Sequence, residues 1–260
     1  MRSIAIVGLG LIGTSVSLAA KARWSGVEVT GIDRSDPLEG VRGADVVVLA
    51  APVDGIIGML PRLARLVGAE TLVLDTGSTK RAILAAAAHA RILQFVGGHP
   101  MAGGTQPGPA GASADLFQGR TWFLMGKDAP SGAIERATAF VEGLGARPHL
   151  FSDNGEQHDR IVAAVSHLPQ VVASTLMTVV GDAMGPEGLQ WAGSGLRDTT
   201  RLALSHADMW MGILETNRDQ LKPLLKDLAA RLDAIADHLD DREAVRLLFE
   251  EAVRAKASCL

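Results

Sequence analysis

The stretch Ser3-Ile4-Ala5-Ile6-Val7-Gly8-Leu9-Gly10-Leu11-Ile12-Gly13 joins a short apolar run to three closely spaced glycines. The β-branched run reads as a buried strand, and the residues from Leu11 to Arg23 repeat with helical period. Strand, glycine turn and helix in that order make the phosphate-binding element of a dinucleotide fold, in which each glycine has its own task. Gly8 permits the tight turn, Gly10 lets the backbone approach a pyrophosphate, and Gly13 lets the helix lie close to the strand. The helix N-terminus presents free N–H groups and the positive end of its dipole, so Leu11 and Ile12 join the expected cradle. Asp33 ends the next strand 20 residues after Gly13, where an acid accepts from a ribose 2′-hydroxyl and repels a 2′-phosphate. NAD is therefore the expected cofactor. NADP is the alternative, because Arg34 follows directly and can stack on adenine or meet a 2′-phosphate.

Outward from this element, short β-branched runs alternate with Ala/Leu-rich stretches of helical period, the pattern of a doubly wound α/β fold with a parallel sheet. The further strands are expected at Val27–Ile32, Val46–Ala50, Thr71–Leu74, Leu93–Val96, Thr121–Leu124 and Pro148–Phe151, with helices at Asp54–Leu66, Thr79–Ala90 and Ser131–Leu144. Only eleven residues, 34 to 44, join the second and third strands, too few for a full crossover helix. Beyond Ser152 strand patterns vanish. Asp153 and Glu156 are spaced as a helix N-terminal cap, and a long helix is expected from there to about Met184, bent at Pro169. Leu221, Leu225, Leu228, Leu232, Ile235 and Leu239 form one apolar stripe on a later helix, suited to a second helix or a second subunit. Two domains are expected: a Rossmann-type unit over residues 1–151 and an all-helical substrate-binding and dimerisation unit over 152–260, giving a homodimer through the helical half.

Composition narrows the partners. Hydrophobic residues make up 47% of the 260 and charged residues 21%, which is the balance of a globular chain with a proper core. A net charge of −4 without a dense Lys/Arg block gives no electrostatic reason to expect nucleic acid. No apolar stretch is expected to reach the roughly 20 residues that cross a bilayer, and no signal peptide is expected before the first strand, so the expected location is cytoplasmic. Cys259 is the one cysteine, expected as a free terminal thiol, and no structural metal site is expected.

Four polar clusters remain: Asp75-Thr76-Gly77-Ser78-Thr79-Lys80, Gly97-Gly98-His99-Pro100-Met101-Ala102-Gly103, Ser166-His167-Leu168-Pro169 and Arg197-Asp198-Thr199-Thr200-Arg201. The first two follow strands directly and so fall on the sheet edge where open α/β sheets bind ligands. His99 there is positioned to face a nicotinamide. His158 lies nine residues before His167, about 180° round an unbroken helix. The two are expected on different faces, with His158 structural. Arg197 and Arg201, four apart, share a helical face, where an anion or Asp198 would relieve their repulsion.

These clusters, in this order and with the opening glycine run, resemble the prephenate/arogenate (cyclohexadienyl) dehydrogenases of tyrosine biosynthesis. The resemblance rests on Gly8–Gly13, Asp75–Lys80, Gly98–Gly103, His158–Pro169, Arg197–Arg201 and Met209-Trp210, and runs through nearly the whole chain. It implies an enzyme that oxidatively decarboxylates a cyclohexadienyl substrate, moving hydride to the nicotinamide while carbon dioxide leaves. By the resemblance His99 is the base on the substrate hydroxyl, and Ser78 bonds both His99 and that hydroxyl. Arg201 binds the ring carboxylate, His167 lies near the substrate side chain, and Arg197 and Trp210 are further candidate substrate contacts. Prephenate is the favoured substrate, because the family's acid beyond the Gly98–Gly103 motif is missing: no acid occurs from Gly104 until Asp115. An arogenate or dual-specificity enzyme giving tyrosine directly is the alternative. A β-hydroxyacid-type dehydrogenase would need a lysine in the helical half, and residues 152–220 contain none. A non-catalytic NAD-binding sensor is the reading from another class, and it leaves His99, Ser78 and Arg201 without a task.

Overall fold

The computed structural model describes residues 1–103 and 108–258. Cys259 and the Gly104–Pro107 part of the acid-free segment therefore lie outside the described residues. Seven strands form one sheet in the order β2-β1-β3-β4-β5-β6-β7. They are β1 (Ser3–Val7), β2 (Glu28–Ile32), β3 (Val46–Leu49), β4 (Leu72–Asp75), β5 (Phe95–Pro100), β6 (Thr121–Met125) and β7 (Arg147–Phe151). The first five pair in parallel, β6 runs antiparallel to β5, and β7 is parallel to β6. The sheet is thus mostly parallel, with one reversal. Burial follows from the residue types: β3 and β4 are buried along their whole length because helices cover both faces.

Alternation along β1 sends Ile4 and Ile6 to one face and Ala5 and Val7 to the other. The first face is covered by α1 (Leu11–Arg23) and α4 (Ser131–Gly143), the second by α2 (Val53–Leu63) and α3 (Arg81–His89). Between β2 and β3 the chain makes only a 3-10 turn at Leu38–Val41, as the eleven-residue connection requires. Ile213 of the helical half completes the second core, so the two halves share buried surface.

The helical half comprises α5 (Glu156–Val162), a π-turn (Ala163–His167), α6 (Leu168–Leu189), α7 (Ser194–Thr199), α8 (Ala207–Thr216), α9 (Arg218–Asp237) and α10 (Arg242–Ala257). Asp153 accepts from the amides of Gly155 and Gln157 and so starts α5. Pro169 sits in the first turn of α6, just past the π-turn. Its missing N–H is accommodated by that wider turn. Gly185, at φ +61°, breaks the regular helix one residue past Met184. On α9, Leu221 is buried and Leu232 is 61% exposed; Leu239, expected on the same helix, falls just past its end and is 70% exposed, so the far end of the stripe is left uncovered among the described residues.

One expectation from the sequence fails. The helical run Glu156–Leu189, counted across the π-turn and the Gly185 break, is 34 residues long with mean hydropathy 1.4 in its most apolar window, enough by length and composition to cross a bilayer. Core helices pass the same test, and here the first part of the helix carries His158, Asp159 and His167 into a buried polar network.

Candidate active site

The phosphate turn is built as its residues require. Gly8 has φ +98°, and a Cβ there would stand 2.3 Å from the Ala50 carbonyl oxygen. A Cβ on Gly13 would stand 1.9 Å from the Gly8 carbonyl oxygen, so only glycine lets α1 approach β1. Gly10 differs from both, because nothing lies within 4 Å of its Cβ position. That open space above a helix N-terminus is the cradle a pyrophosphate fills. Asp33 and Arg34 follow β2 and are exposed; Asp33 accepts from the Arg34 amide at 2.8 Å.

A cleft of about 850 Å³ opens from this turn along the C-terminal ends of the parallel strands. Gly10, Leu11, Ile12, Ser78, His99 and Arg201 all line it. The other expected residues fall elsewhere. Arg197 is exposed on α7 outside the cleft, and His167 is buried behind it. Trp210, half-buried, meets the His167 ring edge-on at 5.8 Å between centroids, and its indole N–H has no partner among the described residues. Among the described residues, no ion pair engages Arg197, Asp198 or Arg201, and no hydrogen bond joins Ser78 to His99.

His99 instead bonds to His158, Nδ1 to Nε2 at 2.9 Å. Behind it, His158 Nδ1 meets Asp159 Oδ1 at 2.8 Å, with both side chains fully buried. Asp159 also accepts from the amides of Lys80 and Arg81, at 2.7 and 3.1 Å, and from Arg81 Nε at 3.2 Å. These bonds fix the protons. An ionised Asp159 only accepts, so His158 carries its proton on Nδ1 and accepts at Nε2 from the Nδ1–H of His99. The Nε2 of His99 is left with its lone pair free.

The π-turn explains why an unbroken-helix projection misplaces His158. The extra residue changes its angular separation from His167 from about 180° to about 80°. Both rings then face the same side, joined through Asn217. The Asn217 amide donates to the Asp159 carbonyl at 2.8 Å and to His167 Nδ1 at 3.2 Å, while its oxygen accepts from Arg81 at 3.2 Å. Arg81 in turn forms a two-pronged pair with Asp219 at 2.6 and 2.8 Å, strapping α3 to α9.

Beneath His99, the buried Asp75 and Lys80 hold the Gly98 peptide from both sides. Asp75 accepts the Gly98 N–H at 3.1 Å, and Lys80, paired with Asp75, donates to the Gly98 carbonyl at 2.7 Å. Phe123 and Phe151 set their ring edges against His158, at 5.6 and 6.0 Å between centroids.

The electrostatics follow from this enclosure. Burial, then His158 and Lys80, push the His99 imidazole well below its ordinary value. Burial lowers His158 as well, against the opposing pull of Asp159. For Asp159 burial acts upward, but the hydrogen bonds from His158 and the Arg81 and Lys80 amides outweigh it and hold the carboxyl below its usual range. Burial brings His167 down to about 4. At neutral pH the histidines are therefore uncharged, and His99 is available as a base.

The sequence singled out His99, Ser78 and Arg201, but gave Asp159, Asn217 and Lys80 no role. The His158-Asp159 pair was visible as a motif; Asn217 carried no signal beyond a polar residue between Ile213 and Leu221 in an apolar pattern. A glycine-cradled helix N-terminus and a half-buried imidazole base lining one cleft define the class of nicotinamide-dinucleotide dehydrogenases.

Comparison with known proteins narrows that class. Residues 10–150 match the family described as prephenate dehydrogenase, nucleotide-binding domain, and residues 154–250 match prephenate dehydrogenase, dimerization domain. The chain is 32% identical to prephenate dehydrogenase of Bacillus subtilis, over 94% of this chain and 72% of that one. It is 30% identical to cyclohexadienyl dehydrogenase of Zymomonas mobilis, over 98% and 95%. A crystal structure of Aquifex aeolicus prephenate dehydrogenase, in complex with hydroxyphenyl propionate and NAD+, has the same fold. Its TM-score is 0.88 at 23% identity, over 99% of this chain and 98% of that one. The chain belongs to the prephenate dehydrogenase family of NAD-dependent oxidoreductases.

Proposed function

We propose that this chain converts prephenate to 4-hydroxyphenylpyruvate, with NAD as the oxidant. The observation that carries the reading is that one cleft is lined by the Gly10 cradle, His99, Ser78 and Arg201 together. NAD bound at Gly8–Gly13 supplies the hydride acceptor, with Asp33 on the adenosine ribose.

Neutral His99 accepts the proton of the ring hydroxyl at Nε2. Electron density then rises on the carbon that loses hydride. As His99 Nε2 gains the proton, its Nδ1–H remains bonded to His158, and the Asp159 carboxylate stabilises the charge through that ring. Ser78 offers a hydroxyl to orient the substrate oxygen. Arg201 holds the ring carboxylate, for which a two-pronged guanidinium is suited. Loss of that carboxylate as carbon dioxide leaves its bonding electron pair in the ring, which becomes a phenol as the proton returns from His99. Atoms and charge balance with one hydride delivered per carbon dioxide released.

We assign the dinucleotide-binding unit to residues 1–151 and the helical unit to 152–260. A homodimer through the helical half is part of this reading. The exposed Leu232 and Leu239 and the match of residues 154–250 to a dimerization domain support it, and a second copy accounts for the open apolar surface of Glu156–Leu189 without a bilayer. Cytoplasmic residence fits a soluble biosynthetic enzyme. The test supplies NAD with prephenate or with arogenate and follows reduced-cofactor absorbance. Prephenate turnover is expected; folded, NAD-binding protein that reduces no cofactor with either substrate overturns the reading.

A further inference from the structure

Two donors that line the cleft, Arg201 and His206, have no hydrogen-bond or ion-pair partner among the described residues. The loop between them is held at two points by one buried side chain. Gln170 of α6, 5% exposed, donates to the Leu202 carbonyl at 2.8 Å and accepts from the Ser205 hydroxyl at 3.2 Å. Leu202 follows Arg201 and Ser205 precedes His206, so Gln170 fixes both ends of the loop.

The charge of the cleft is equally one-sided. Among its described lining residues Arg201, His206 and His99 are the basic groups, and none is acidic. Gly104, Thr105, Gln106 and Pro107, next to it in sequence, add no acid.

On the reading that prephenate is the substrate, geometry requires such a pairing. The ring carboxylate and the keto-acid side chain leave the same ring carbon, opposite the hydroxyl that His99 engages. Both acidic ends therefore lie together, at the opposite end of the substrate from the hydroxyl that His99 engages. We infer that His206 is a specificity-determining residue, which takes the keto-acid side chain while Arg201 takes the ring carboxylate, with Gln170 as the positioning residue that sets their spacing.

An imidazole N–H donates to a keto or carboxylate oxygen in either protonation state. An amino-acid side chain at the same place would bring an ammonium against a donor, with no carboxylate in the lining to receive it. The carboxylate is common to both side chains and accepts in either case, so the discrimination rests on the keto oxygen, which accepts from the imidazole N–H where an ammonium cannot.

The test compares prephenate with arogenate in wild type, His206→Ala and His206→Glu, at saturating NAD. Loss of a hydrogen bond to a charged group is expected to raise KM for prephenate about tenfold or more in His206→Ala, with kcat changed less than about threefold. His206→Glu supplies an acceptor for the ammonium and is expected to move the ratio of kcat/KM values towards arogenate by more than about tenfold. Gln170→Leu is expected to raise KM for prephenate while sparing NAD affinity. An unchanged prephenate KM in His206→Ala, or equal losses for both substrates in both His206 variants, overturns the assignment. Failure of the wild type on both substrates refutes the parent reading instead.

Discussion

Replacing His158 with leucine tests the proton chain directly. The leucine keeps the apolar contacts with Phe123 and Phe151 but removes the acceptor that His99 Nδ1–H meets at 2.9 Å and the donor that Asp159 meets at 2.8 Å. A buried group that loses its partner costs about 1–3 kcal/mol. Here the cost falls on the state in which His99 carries the proton, because that charge is no longer stabilised through His158. Taken into the barrier, it corresponds to about 5- to 150-fold in kcat. KM for prephenate should change little, since the carboxylate contacts assigned to Arg201 and His206 are left in place. His158→Gln should recover part of the loss, as its amide oxygen can accept from His99 and its NH2 can donate to Asp159. Steady-state kinetics on folded, NAD-binding variants provide the assay. A His158→Leu enzyme with more than half of the wild-type kcat, or Leu and Gln variants of equal activity, would refute the relay.

Five further outcomes are expected. His99→Asn should cripple turnover while prephenate affinity persists. Arg201→Ala should raise KM about tenfold to a hundredfold with kcat nearly intact, from the loss of a charge-assisted hydrogen bond; steady-state kinetics check both. Gly10→Val should weaken NAD binding at least about tenfold in a calorimetric titration without lowering Tm, because its Cβ enters open space where the pyrophosphate is to sit. Gly13→Val should fail to fold normally, having only 1.9 Å to the Gly8 carbonyl oxygen. His167, held down to about 4 in the folded chain against about 6.5 for a free histidine, binds its proton first in the unfolded chain. Its contribution is therefore complete above about pH 6.5 and lost as pH falls towards 4, by at most about 3 kcal/mol. Denaturant titrations at the two pH values should show the loss, and His167→Gln should flatten the slope.

The strands and the phosphate turn were legible because their causes are local. Val46–Leu49 can only be a doubly covered strand, and the strand-glycine-helix order at Gly8–Gly13 leaves few other folds. Seven strands were expected and seven are present, although the antiparallel entry of β6 carries no local mark in Thr121–Met125. His99 and Ser78 could be singled out because a strand end beside a dinucleotide turn is a functional address. Asp159 and Asn217 could not, since what joins them to His99 is contact across 59 residues for His99–His158 and 58 for Asn217–Asp159. The π-turn was hidden for a different reason: Pro169 announces a local disturbance, but not whether the helix will kink or widen. That choice decides which face His158 and His167 share. A helical wheel drawn on regular spacing consequently misplaces the residue nearest the proposed base.

The same contacts that hide the relay from the sequence give it a second consequence. Asp159 bonds to the start of α3 through the Lys80 and Arg81 amides, while its own chain belongs to α5. Arg81 continues to Asn217 and Asp219, at the junction of α8 and α9. The groups that set the protons of His99 are therefore the groups that fasten the helical half to the sheet. A disturbance of the interface must reach His99, because Asp159 cannot leave the Lys80 and Arg81 amides without moving His158. Gly155 enforces the fit from the other side: at φ +88°, a Cβ on it would stand 2.6 Å from the Lys80 Cβ. The base is thus poised only while the two halves are docked through Asp159, Arg81 and Asn217.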